Sequence, residues 1–268
     1  MQQSGGIVPH PPLLIPEIGR GDLSAVSSTI AALETLAGRL RYDDPALLVI
    51  SSPHHPEARP GAVGIGTTPR FRGDFARFGA PHVGAEFDGV PDIASALLNE
   101  NLGAATFPLA SEELDWGFMV FLELARRLGF HPRVLPLAIS RGGMRELYGF
   151  GFALSVFIER TCPDTRCSFV ASGDLSHVTR AGAGREYDAF GPVFDNKFVR
   201  ALESESPGAL FAFTDAELVR ARQCGAAGMA AAAGFYARGK IRASRLSYED
   251  PFGVGYLVAM FEVPDGSA

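Results

Sequence analysis

The run Ala46-Leu47-Leu48-Val49-Ile50-Ser51, ending in Ser52-Pro53, constrains this chain more than any other stretch. It is apolar at successive positions and holds β-branched residues, so a strand formed there needs cover on both faces. That demand is met by parallel strands joined through crossover helices. Short runs of the same kind recur at 7–8, 62–65, 104–107, 134–139 and 168–171, with stretches of helical period between them at 23–40, 92–99, 118–128 and 144–159. Such β–α alternation predicts an α/β fold in which helices cover one sheet. A long helical block at 186–235 follows. Two late strand-like runs, 241–248 and 254–263, are then positioned to form a hairpin through Glu249-Asp250-Pro251-Phe252-Gly253. With no repeat, charge block or Pro/Ser-rich linker, the 268 residues read as one domain, 1–268.

Charge narrows the partners. Lys and Arg number 24 against 30 Asp and Glu, a net charge of −6, so no basic field exists to attract nucleic acid or anionic lipid. No run reaches the ~18 apolar residues of a membrane helix. The first residues carry no basic stretch ahead of an apolar one. The three cysteines, Cys162, Cys167 and Cys224, are odd in number and show no metal-ribbon spacing. A reducing cytoplasm is the expectation. Amine chemistry has only Lys197 and Lys240 to draw on.

The histidines carry the chemical signal. His10 ends Gly6-Ile7-Val8-Pro9-His10, the doublet His54-His55 follows the run at 46–53, and His177 closes Ser172-Gly173-Asp174-Leu175-Ser176-His177 beyond the run at 168–171. Ligands in open α/β sheets bind at the carboxyl ends of the strands, so if these strands are parallel neighbours their imidazoles converge on one rim. Glu249 ends a later apolar run. Two imidazoles and one carboxylate on one face of an ion leave positions open, the arrangement of non-haem Fe(II) oxygenases, and a further histidine could move protons near neutral pH. A lone loop histidine is more often a turn residue. The signal here is the joint pattern. His82 and His131 lack that context and read as structural. Gln223-Cys224-Gly225 opens an alanine-rich helix that either packs closely or lines a pocket, and Glu112-Glu113 is expected to cap the helix that follows.

Four blocks, in order, resemble one family: Pro9-His10-Pro11-Pro12-Leu13-Leu14-Ile15-Pro16-Glu17-Ile18-Gly19, Ser52-Pro53-His54, Ser172-Gly173-Asp174-Leu175-Ser176-His177, and Tyr248-Glu249-Asp250-Pro251-Phe252-Gly253-Val254-Gly255-Tyr256. They are similar to the catalytic B-subunit (LigB-like) family of class III extradiol ring-cleavage dioxygenases. The resemblance implies a three-layer αβα domain with a central mixed sheet. It implies Fe(II) on His10, His54 and Glu249 and His177 as acid and base; Asp174, by its position, either orients His177 or forms the turn after Gly173. A small aromatic diol and dioxygen would be the reactants, as in aromatic compound catabolism, and a homo-oligomer is allowed.

The chain departs from that family twice. Relatives often have Asp-His-Gly where Asp115-Trp116-Gly117 stands, so Asp115 and Trp116 become candidate pocket residues with one imidazole fewer. The doublet leaves His54 and His55 as alternative ligands, His55 otherwise belonging to the pocket. The related Memo family also pairs histidines here but uses a cysteine ligand in place of the carboxylate. The presence of Glu249 points to the dioxygenase side, with a Memo-like redox or signalling protein and a metal-dependent hydrolase as the alternatives.

Overall fold

The computed structural model describes residues 2–181, 186–204, 206 and 208–263. Strands β1 (Gly5–Val8), β2 (Leu47–Ser52), β3 (Ala62–Gly66), β6 (Ala105–Leu109), β7 (Arg133–Ala138), β8 (Cys167–Ser172), β9 (Ala243–Glu249) and β10 (Tyr256–Phe261) form one sheet in the order β6-β3-β7-β2-β8-β1-β10-β9. The centre is parallel: β2 pairs with β7 and β8, and β1 with β8. The flanks mix directions, since β3 runs antiparallel to β7, and β10 antiparallel to both β1 and β9. The mixed αβα architecture expected from the resemblance is therefore present, and the late hairpin forms where the turn residues predict it.

Side-chain alternation along β2 divides the core. Leu47 and Val49 join one apolar cluster while Leu48 and Ile50 join the other, as a strand of period two covered on both faces requires. The second cluster packs against α2 (Ser27–Asp43) and α4 (Trp116–Arg127), with the short α1 (Pro16–Gly19) at its margin. The first packs against α3 (Pro91–Leu98), α5 (Met144–Thr161), α6 (Phe190–Glu203), α7 (Gly208–Phe211), α8 (Asp215–Arg220) and α9 (Ala226–Tyr236).

Helix α9 is Ala-Ala-Gly-Met-Ala-Ala-Ala-Ala-Gly-Phe-Tyr and is buried nearly all round, with no polar stripe. Its small residues are explained by α5. A Cβ on Gly151 would overlap the Ala231 carbonyl, and one on Gly234 would overlap the Tyr148 carbonyl, so the two helices meet backbone to backbone. Of the two roles left open by the sequence, close packing holds along the helix, while Gln223, Ala226 and Ala227 at its start also line a cavity.

The block at 186–235 divides into four helices. Thr214 and Glu217 form a reciprocal capping box that starts α8, and Arg222 takes a left-handed φ of 52° after its end. One element was not visible in the sequence. Strands β4 (Arg70–Phe75) and β5 (Ala80–Asp88) form a separate antiparallel pair. In β4 only Phe71 and Phe75 are buried among charged neighbours, a dilute alternation that hydrophobic runs alone do not reveal. Among the described residues no helix is long and apolar enough to cross a membrane.

Candidate metal centre

Because β2, β8 and β1 are adjacent and parallel, the loops leaving their carboxyl ends share one rim. His10 arrives from β1 and is 2% exposed. Its ring is held by Ser172, the last residue of β8: the Ser172 hydroxyl donates to the Gly117 carbonyl at 2.5 Å, leaving its oxygen to accept from His10 Nδ1–H at 3.0 Å. That chain places a proton on Nδ1, so Nε2 is the ring atom that faces the site. Nε2 faces Cys224 Sγ at 3.6 Å. His54 arrives from β2, its ring 4.9 Å from that of His10 and edge-on to it. The ligand atoms of His10, His54 and Cys224 lie within 4.8 Å of one another.

A second trio, Asp174, His177 and Cys224, has the same spacing and shares the thiol. Asp174 Oδ1 accepts the His10 backbone N–H at 3.1 Å, and Oδ2 lies 3.8 Å from His10 Nε2 and 3.7 Å from His177 Nε2. Backbone pairing fixes Cys224 against this loop. His177 N–H donates to Ala221 O at 3.0 Å, Gly225 N–H to Asp174 O at 3.0 Å, and Asp174 N–H to Cys224 Sγ at 3.3 Å. A Cβ on Gly173 would overlap the Gly225 backbone, so the two segments meet only because both positions are glycine.

The electrostatics suit an ion. Burial, reinforced by the neighbouring His10 ring, lowers the pKa of His54 to about 4, so the imidazole is neutral and able to ligate. Burial pushes Asp174 toward its neutral form, but His10 and His177 outweigh it and hold the carboxyl below its ordinary value. Burial, with Asp174 adding to it, raises the Cys224 thiol well above its usual value. A bound cation must therefore displace the thiol proton. Two imidazoles, a thiol and a nearby carboxylate form a donor set for a first-row transition ion.

The remaining predicted residues are placed as follows. Glu249 is not with the histidines. Its carboxylate accepts from Ser28 N–H at 3.3 Å, Thr29 N–H at 2.8 Å and the Thr29 hydroxyl at 2.6 Å, and so caps α2, which has no side-chain cap of its own. The reason is topological. β9 is the edge strand and β10 separates it from β1, so its end lies over α2 rather than over the rim. The third group beside His10 and His54 is Cys224. His55 is turned away, its Nδ1 accepting from Glu57 N–H at 3.2 Å and its ring against Phe118. Asp115 is the N-cap of α4, a role expected of Glu112-Glu113. Its Oδ1 accepts from Gly117 N–H at 2.6 Å and from the Ser52 hydroxyl at 2.7 Å, and burial raises its pKa. Trp116 stacks on His54 at 4.8 Å and 18°, and Phe78 meets it edge to face at 5.8 Å. Cys224 was the residue missed. Its only sequence signal was a lone thiol opening a helix of small residues.

Comparison with known proteins bears on the fold and the family. The chain is 27% identical over 267 residues to Protein CA_C1420 of Clostridium acetobutylicum, covering 96% of this chain and 56% of that protein, so it spans about half the length of the curated relative it matches. Its fold is similar to the crystal structure of uncharacterized protein JW3007 from Escherichia coli K12, with a TM-score of 0.60 at 14% identity, covering 97% of this chain and 99% of that one. The profile of the family described as the catalytic LigB subunit of aromatic ring-opening dioxygenase matches residues 5–259, and the chain belongs to that family.

Proposed function

We propose that the protein is a metal-dependent oxidoreductase of the dioxygenase-like superfamily with a Memo-like redox centre, in which His10, His54 and Cys224 hold the ion. The observation that carries this reading is Cys224 Sγ, 3.6 Å from His10 Nε2. One thiolate with two neutral imidazoles suits iron, copper or zinc and disfavours magnesium, calcium or manganese. When bound, iron or copper supplies one-electron exchange with dioxygen or an electron-rich substrate.

The chain's own residues do the rest. Ser172 keeps His10 Nε2 aimed at the site through the Nδ1 bond. His177, whose side chain is 26% exposed, can exchange protons with solvent, and Asp174 Oδ2, 3.7 Å from its Nε2, orients the ring. Trp116 stacks on His54 and shields that imidazole, with the Arg77 guanidinium over the same indole at 5.1 Å. The three free cysteines support a reducing, cytoplasmic setting.

Opening of a small aromatic diol by dioxygen at Fe(II) is the second reading, and the family's own description favours it. Metal analysis of anaerobically purified protein, followed by an oxygen-electrode screen of catechols, tests both. Iron or copper at about one per chain with no catechol-dependent oxygen uptake supports the redox centre. Oxygen uptake with a yellow product supports ring opening. Protein that binds none of these metals contradicts both.

A further inference from the structure

The block from Tyr248 to Tyr256 helped to place the chain in its family, yet Glu249 within it caps a helix. The rest of the block meets the loop that carries Asp174 and His177. Leu175 N–H donates to Gly255 O at 3.0 Å, Gly255 N–H to Ser176 O at 2.8 Å, and Thr179 N–H to Gly253 O at 3.1 Å. Beneath this pairing lies Asp195 of α6, a carboxylate 1% exposed. Its Oδ1 accepts the Ser176 N–H at 2.8 Å and its Oδ2 accepts the Tyr248 hydroxyl at 2.7 Å. A Cβ on Gly255 would overlap it.

Neither of these bonds comes from a cationic side chain, and among the described residues no ion pair reaches the carboxyl, an arrangement that costs stability. Burial accordingly raises its pKa to about 7, with Tyr248, Ser176, Asp250 and His177 as the groups around it. An apolar residue could fill the same volume without that cost. What it could not do is accept the N–H of Ser176, the residue between Leu175 and His177.

We propose that Asp195 is a positioning residue of the metal centre: oriented by Tyr248, it fixes Ser176 and thereby sets Asp174 and His177 against Cys224. The path is short. Ser176 is two residues from Asp174 and one from His177, and both of these bond the backbone of the segment carrying Cys224. The proposal rests on the metal reading given above.

The test uses cobalt(II) as the probe, because a cobalt–thiolate bond gives a near-ultraviolet charge-transfer band that reports on Cys224 directly. Wild type should show the band and Cys224→Ala should not. Asp195→Asn, which keeps an acceptor oxygen for Ser176, should bind cobalt within ~3-fold of wild type, whereas Asp195→Leu should bind ~10–100-fold more weakly with an altered band. A residue that merely fills space would show no such split between Asn and Leu. If Asp195→Leu does not fold, Tyr248→Phe serves, with ~3–10-fold weaker binding expected. Wild-type affinity and band in Asp195→Leu overturn the proposal, as they do in Tyr248→Phe if Leu fails to fold. Absence of the band from wild type itself overturns the metal reading and this proposal with it, a result distinct from a band that is present and unmoved.

Discussion

Replacing Asp195 by Asn should change how the stability of the metal-free protein depends on pH. The carboxyl is raised from 3.8 to about 7 by burial. Between these values the unfolded chain has released this proton while the folded chain keeps it, so each rise in pH favours unfolding. Below ~4 the difference vanishes, and above ~7 it is constant at its full cost of ~4 kcal/mol. Between pH 5 and pH 8 the wild type should therefore lose ~2–3 kcal/mol through this group alone. The amide does not titrate and loses none of it.

His54, lowered to about 4, acts in the opposite sense at lower pH. It is common to both proteins and cancels in the difference. Urea unfolding with chelator present, at pH 5, 6, 7 and 8, gives the two profiles. Asp195→Asn should gain on the wild type by ~2–3 kcal/mol across that range. Parallel profiles would refute the assignment of a buried carboxyl at this position.

Three further outcomes follow from the geometry. The raised Cys224 thiol must lose its proton to an ion, so metal affinity measured by competition titration should rise ~tenfold per pH unit between pH 6.5 and 8.5; a flat profile would exclude thiolate ligation. Gly173→Ala places a methyl against the Gly225 backbone, and denaturant unfolding should show a loss of ~2 kcal/mol or more, together with weaker metal binding. His177→Phe should retain metal but lose ~100-fold or more in any turnover found, since it removes the proton carrier rather than a ligand of the first trio; loss of metal would make it a ligand.

Much of this was legible in the sequence because its signals are local. A continuously apolar β2 requires cover on both faces, and three histidine groups following three such runs require a common rim once the strands are parallel neighbours. The turn chemistry of 249–253 likewise specified the late hairpin. Less legible were features that depend on strand order. Glu249 ends a strand much as His10 follows one, but an edge position behind β10 carries it to α2; the exposed Ser244 and Arg245 within β9, against the fully buried β1, are the local trace of that edge. Cys224 lies 214 residues from His10, and the folded contact of Gly173 with Gly225 together with the backbone pairing of their two segments brings them together. Asp195 was hidden for the same reason. It sits within a helical period as an ordinary polar residue, and its partners are on β9 and the loop after β8.

Metal content of two variants, each loaded anaerobically alongside the wild type, bears most directly on the centre. Cys224→Ala should lose iron or copper to background while remaining folded. Glu249→Ala should keep wild-type content and lose only ~1–2 kcal/mol of stability with its cap on α2. Full metal in Cys224→Ala together with loss in Glu249→Ala would contradict the thiol-centred site and return the carboxylate to the ion.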